Sequence, residues 1–339
     1  MPMFSRDNIY PLLFDPMYRQ VCWGGNRLAA VLNRTLPDDE GYYGEAWDIC
    51  DRPGAESIVS NGPLAGTSIH QLAAEGNTEF TGESLNGTLH RFPVLVKIID
   101  TAARTSLQVH PNNTIAAKIG NGAEPKTEMW YVMKAEKNAQ VMVGLTPVAT
   151  RPRFNETAGT QQVEEQVMHY NAIPGDAYFI NAGSVHCAGA GCLLLEIQEN
   201  SNTSYRIYDW ETRDFDGSLR PLHLEQALEC VNYIDRFPAR ITGASNKALN
   251  NRKYALVNKC PTFSVDEMRL VCDWPDTTRF SRSAHLLTAI DNTLEIHTPS
   301  FEPVMVPPGR TALLPACLGE YLLRCSGSIP TTAIRTILL

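Results

Sequence analysis

Among the side chains ahead of residue 190 of types that hold metal ions are Gln108 and His110 in SLQVHP, Glu128 in KTEMW, and His186 in PGDAYFINAGSVHCAGAG. Alternate residues of a strand share a side, so Gln108 and His110 project from one face, with Ser106 beside them. Glu128 stands at the start of the next strand, and His186 arrives after turns set by Pro174-Gly175 and Gly183. Three such segments converging in a jelly-roll barrel would offer His, Glu, His and an amide oxygen. That set suits a borderline divalent ion with positions left open for water or substrate. Each residue alone has a plainer reading: a polar strand edge for Q-x-H, a solvated strand end for Glu128, a hydrogen-bonded core histidine for His186. Their joint arrangement with the Gly-flanked turns favours the metal.

Positioning these groups takes short strands and tight turns. Residues 92–99 (FPVLVKII) read as a nearly continuous apolar strand interrupted only by Lys97. Residues 106–110, 129–133, 177–180, 192–198 and 204–208 read as further strands, as do 45–50 and 56–60 around Arg52-Pro53-Gly54. Helices are predicted at 26–32, at 67–74 with Thr67 or Ser68 near the N-cap, at 114–119, and over 222–235 (LHLEQALECVNYID). The stretch 161–169 is either a short helix or an irregular charged segment. Beyond Phe237 the chain returns to strands, which predicts two domains, 1–238 and 239–339. A short internal repeat aligns Pro174-Gly175 and strand 177–180 with Pro308-Gly309 and 311–314. On that register Glu320 takes the place of His186, which suggests paired β-barrels with the metal-type residue in the first alone.

Composition narrows the partners. A length of 339 residues exceeds one ordinary single-core domain. The hydrophobic and charged fractions, 43% and 19%, are those of a globular soluble protein. A net charge of −8 argues against nucleic acid or an anionic membrane, while a few cations in one cleft can still hold a small anion. The opening MPMFSRDNIYPLLF lacks the pattern of a signal peptide, and no apolar run approaches ~18 residues. Nine scattered cysteines with no C-x-x-C pair read as reduced thiols, so a cytoplasmic location is expected.

SLQVHP, KTEMWYV, PGDAYFINAGSVHCAGAGCLLLEIQENS and YRIYDW resemble, in that order, the motifs of the type I mannose-6-phosphate isomerases in their short bacterial form. That family consists of zinc enzymes of the cupin superfamily. The likeness is dense from Phe92 to Trp210, recognisable in CWGGNRL and YYGEAWDI, and faint towards the C-terminus. It implies a mainly β protein: a cupin jelly-roll (double-stranded β-helix) catalytic barrel with attached helices, and a second β-rich, cupin-like C-terminal barrel. It places a single Zn2+ per chain on Gln108, His110, Glu128 and His186. The implied reaction moves a proton between C1 and C2 of a sugar phosphate, interconverting mannose 6-phosphate and fructose 6-phosphate.

On the same resemblance Arg206, Lys126 and Glu196 are the expected catalytic residues, and Ser106, Lys97, Lys126 and Arg206 the substrate contacts. Arg206 otherwise reads as an ion-pair partner of Asp209 or Glu199, Glu196 as a partner of Lys97 or Arg206, and Lys97 as a strand-edge lysine snorkelling outward. Trp23 and Trp47 are expected in the cleft wall, and the Cys187 thiol points away from His186 into the core. Asn181 stands where cupins usually carry proline, Ala46 and Cys50 where the family commonly has serine, and Cys187 where it usually has alanine. The expected partner is a small sugar phosphate, with no nucleic acid or membrane, acting on a monomer or weak homodimer. Two rivals are a non-catalytic cupin that senses a sugar phosphate, and a cupin oxygenase. The presence of Arg206 with all four candidate ligands disfavours the first, and Gln108 with the cationic cleft disfavours the second.

Overall fold

The computed structural model describes residues 9–38, 41–82, 91–234, 239–241, 250–258 and 260–339. The chain is mainly β and groups into two compact units, one of Met1–Met17, Trp47–Val96 and Gly243–Leu339, the other of Tyr18–Ala46 and Lys97–Thr242. The expected boundary near residue 238, Asp235 at the end of the expected last helix, and the first eight residues lie outside the described residues.

Every candidate site residue falls in the Tyr18–Ala46 and Lys97–Thr242 unit. Its five-stranded sheet runs Val167–Asn171, Gln140–Leu145, His186–Ala188, Leu107–Val109, Tyr205–Tyr208. A seven-stranded sheet runs Arg240–Ile241, Ala177–Ile180, Glu128–Ala135, Cys192–Glu199, Val94–Thr101, Met17–Gly25, Tyr43–Ile49. Strand alternation sends Trp130, Val132 and Ile180 of the second sheet against Val141, Val143 and Ala188 of the first. The other face of the five-stranded sheet, with Leu107, Val109, Cys187 and Ile207, packs on Phe154, Val163 and Ala227 from helical segments. Each large apolar side chain fully buried in these layers contributes about 1.5–3 kcal/mol.

Local chemistry sets the helix ends. The Asn112 side chain accepts the Ile115 N–H at 2.9 Å to start helix Asn113–Ile119. Ser68 accepts the Gln71 N–H at 3.1 Å at the head of Ile69–Phe80. The helix expected over 222–235 is shorter, Leu224–Cys230. Val231 turns extended (φ −59°, ψ 123°), and the Asn232 N–H donates to the Gly183 carbonyl at 2.9 Å. Val231 still reaches the core beside Ala227, so the apolar periodicity outlasts the helix. The uncertain stretch 161–169 is a 3-10 helix, Gln161–Gln166, running into strand Val167–Asn171.

In the other unit a six-stranded and a four-stranded sheet enclose Met268, Leu287, Leu294, Ile296, Leu314 and Leu323. Strand Thr311–Leu314 followed by Glu320–Cys325 repeats the order Ala177–Ile180 then His186–Ala188. Glu320 is exposed where its counterpart His186 is fully buried. Among the described residues no helix is long and apolar enough to cross a membrane.

Candidate metal centre

Gln108 lies at the middle of a row across three strands, with His186 paired on one side and Arg206 on the other. His110 follows strand Leu107–Val109, and its carbonyl accepts the Gly183 N–H at 2.8 Å, which ties the two histidine-bearing segments together. Gly183 sits at φ +90°, and a Cβ there would lie 2.9 Å from the Cys230 carbonyl oxygen, so this turn requires glycine. The turn closes when Ser184 N–H donates to the Asn181 carbonyl at 2.9 Å. Proline carries the same carbonyl, so this bond does not distinguish Asn181 from the usual cupin residue. From the facing sheet come Glu128 and Trp130, two apart on one strand, and Glu196, directly opposite Trp130.

His110 Nε2 lies 3.4 Å from Glu128 Oε2, and His186 Nε2 lies 3.4 Å from Glu128 Oε1. The ligand atoms of these three buried residues all fall within 4.8 Å of one another. Both ring nitrogens of His110 and both carboxylate oxygens of Glu128 lack a hydrogen-bond partner. The Lys126 ammonium, 2.8 Å from Glu128 Oε2, pairs with it as a charge but outside hydrogen-bonding angles. An unsatisfied buried polar atom costs about 1–3 kcal/mol, so this cluster fits a bound cation. His186 Nδ1 lies 2.8 Å from the Ser184 carbonyl; donation there leaves the Nε2 lone pair facing the triad.

Charge states agree with that fit. Burial, and then the Lys126 charge, push His110 down to about 3, and burial lowers His186 as well. Burial alone would raise the Glu128 carboxyl, but its surroundings, the Lys126 charge first, outweigh it and hold it well below the usual carboxylate range. Near neutral pH the triad is therefore two neutral imidazoles and a carboxylate, the forms that bind metals. Gln108 reaches the edge of this group with its nitrogen, 3.2 Å from His186 Nε2, while Oε1 accepts the Ser204 hydroxyl at 2.7 Å. A fourth ligand at Gln108 needs the amide turned by half a revolution, which exchanges two atoms of nearly equal size.

Gln108 and Lys126, which touch His186 and Glu128, also line a cavity of about 230 Å³ together with Ser106, Lys97, Glu196 and Arg206, all singled out in the sequence. Lys97 does not snorkel. It is buried, with Nζ 3.2 Å from Glu196 Oε1 and 3.6 Å from Glu45 Oε2. Burial would lower its pKa, but Glu196, Glu45 and Glu128 reverse that and raise it. Glu196 Oε2 accepts the Trp130 indole N–H at 2.8 Å. Arg206 donates from Nε to the Pro221 carbonyl at 3.1 Å, and Asp209 is held by Arg220. Trp23 lines the cavity as expected, whereas Trp47 packs with Cys50, Ala55 and Leu95. The Cys187 thiol points into the helix-covered core, 3.2 Å from the Thr105 carbonyl, and burial pushes it up to about 12.

Among the cavity residues without a role in the sequence analysis are Glu45, Trp130, Asn202, Ser204 and Arg220. Alternation from Glu128 could have found Trp130. Glu45 lies in the quoted YYGEAWDI, but nothing local marks it as the partner of a lysine on another strand. Arg220 has no sequence signal of its own.

Residues 12–156 match the family model for phosphomannose isomerase type I, catalytic domain. Mannose-6-phosphate isomerase ManA of Bacillus subtilis (strain 168) is 33% identical over 260 residues, covering 77% of this chain and 79% of that protein. The mannose-6-phosphate isomerase of Streptococcus mutans serotype c is 32% identical over 221 residues, 65% of this chain and 67% of its own length. The crystal structure of the mannose 6-phosphate isomerase from Bacillus subtilis is similar with a TM-score of 0.83 and 25% identity, over 96% of this chain and 99% of that one.

Proposed function

The chain belongs to the type I phosphomannose isomerase family, with the cupin fold that the family carries, and from that premise we propose that it interconverts mannose 6-phosphate and fructose 6-phosphate with a zinc ion held by Gln108, His110, Glu128 and His186. The observation that carries this reading is the buried triad with its unsatisfied ligand atoms, joined through Gln108 and Lys126 to a cavity that also holds Lys97 and Arg206.

Removing a proton from the carbon next to a carbonyl builds negative charge on oxygen, and a zinc ion, when bound, supplies the Lewis acid that stabilises such charge. Glu196 keeps one oxygen on the Trp130 indole and the other, Oε1, beside the Lys97 ammonium. In this proposal Glu196 is the group that carries the proton between C1 and C2. Lys126, paired with Glu128, presents its remaining N–H groups to the sugar oxygens or the phosphate. Arg206 is charged at every relevant pH and binds the phosphate; Ser106 offers a hydroxyl to the substrate and Lys97 a charge. The activity so read acts on a free sugar phosphate in the cytoplasm, and a single chain supplies every site residue.

Metal analysis of the purified protein is expected to find about one zinc per chain, and chelation to abolish turnover until zinc is restored. His186→Ala should lose metal and turnover together. Full activity after complete metal removal would overturn the zinc assignment. Preference for glucose 6-phosphate or unphosphorylated mannose over mannose 6-phosphate would overturn the substrate assignment.

A further inference from the structure

Between strand Tyr205–Tyr208 and helix Leu224–Cys230 the chain makes an excursion that leaves from Asp209 and returns at Arg220. Asp209 is buried and accepts two hydrogen bonds from Arg220, from Nε at 2.7 Å and from Nη2 at 2.5 Å. This fork-to-carboxylate pairing fixes the plane of the guanidinium without engaging Nη1, and Arg220 lines the cavity. Arg206 is stitched to the residues just after Arg220. Its backbone N–H donates to His223 Nδ1 at 3.1 Å, its carbonyl accepts the His223 N–H at 2.9 Å, and its Nε donates to the Pro221 carbonyl.

The backbone at the start of the excursion is strained. Trp210 and Glu211 are successive non-glycine residues at φ +48° and +57°. They are clamped: the Arg104 guanidinium lies 4.5 Å over the Trp210 ring, the Trp210 indole N–H donates to Glu164 at 3.0 Å, and Thr212 N–H donates to the Asp209 carbonyl at 2.9 Å. A strained turn is thus held in place directly between Asp209 and the segment that delivers Arg220.

Two guanidiniums therefore share one cavity wall. Burial and then the Arg220 charge pull Arg206 below its ordinary value, while Asp209 and Asp214 are the acidic groups that oppose this. Asp209 pairs directly with Arg220, while Asp214 is exposed and acts through water, so an anion between the arginines would find an attraction not fully neutralised. Planar guanidinium forks match the oxygens of a phosphate, and Ser204 and Asn202 on the same wall add neutral polar groups. We propose that Arg220, beside Arg206, is a phosphate-binding residue of this site, and that Asp209 is its positioning residue. The inference rests on the sugar-phosphate reading above and sharpens it by fixing which part of the substrate meets this wall.

The test compares wild type, Arg220→Gln and Arg220→Lys in two measurements, turnover of mannose 6-phosphate and calorimetric binding of inorganic phosphate, with a thermal melt for each protein. Arg220→Gln is expected to raise KM about 10- to 100-fold, the loss of one charged hydrogen-bonding group, with kcat within about threefold. Inorganic phosphate should weaken by a similar factor, and Arg220→Lys, which keeps charge without the fork, should fall between. Asp209→Asn keeps an acceptor oxygen but drops the orienting charge, and should raise KM about 3- to 10-fold; it serves if Arg220→Gln does not fold. A folded Arg220→Gln with wild-type KM and wild-type phosphate affinity overturns the proposal, as does a lower melting temperature with both constants unchanged. Absence of turnover in the wild type would instead count against the isomerase reading, and phosphate binding would still decide the role of Arg220.

Discussion

Lys97 is 5% exposed in the middle of an apolar strand, with the Glu196 carboxylate on one side and Glu45 on the other. Its ammonium cancels part of the charge of two acids that the cavity needs close together. Lys97→Met fits the apolar strand but strands both carboxylates, and should cost about 3–5 kcal/mol of folding stability along with turnover. Adding Glu45→Gln should return part of that loss, because one uncompensated charge is gone. Equilibrium denaturation of the single and double variants reads the effect; a Lys97→Met protein as stable as wild type would show that the carboxylates do not depend on this lysine. The sequence made Lys97 conspicuous, since a charge within FPVLVKII demands an explanation; His110, Glu128 and His186, which the fold brings together, stand out in the sequence only through their joint arrangement and the resemblance of their motifs. Glu45 and Arg220 do not. Their roles exist only through partners on distant segments, Lys97 for one and Asp209 for the other, and no spacing rule links them.

At the level of elements, the site depends on two strands coming unusually close. Met17–Gly25 and Tyr43–Ile49 approach at Gly24 and Gly44, where a Cβ on Gly24 would lie 2.5 Å from the Gly44 nitrogen and 2.9 Å from its Cα. Trp23 and Glu45, the neighbours of these glycines in sequence, both line the cavity. Gly24→Ala forces backbone against backbone, so it should destabilise the protein by about 1–3 kcal/mol and move Glu45 away from Lys97. A thermal melt and a turnover assay check both effects, and wild-type values in each would show that the strands can separate freely. CWGGNRL and YYGEAWDI were visible as motifs, but what the glycines do is visible only once the strands are adjacent. Strand Gln140–Leu145 was missed for a related reason: QVMVGL contains Gly144 at φ +82°, and its place in the sheet comes from pairing with His186–Ala188 and Val167–Asn171. The final helix was overextended because Val231 satisfies the apolar period from an extended backbone.

Across the whole chain, the polypeptide passes between its two compact units at 17/18, 46/47, 96/97 and 242/243. All candidate site residues precede residue 238, yet a fragment ending there would not carry a complete second unit. Within that unit Leu12 and Leu13 pair with Leu313 and Ala312, Phe80 accepts the Ala316 N–H at 2.9 Å, and Gly82 bridges to Ser283. Arg310 Nη2 donates to the Phe14 carbonyl at 2.5 Å. Cutting at 238 removes the partner in every one of these contacts, at positions beside Leu12, Phe14 and Phe80, all essentially inaccessible in the intact chain. The freed strand edge at Leu12–Leu13 becomes open to pairing with other chains. A fragment of residues 1–238 should therefore aggregate or melt without a cooperative transition, although it contains the triad, both arginines and Lys97. Size-exclusion chromatography and calorimetry of that fragment test the point. A monomeric fragment with a sharp melt and retained turnover would show that residues 9–82 hold their structure without the C-terminal strands.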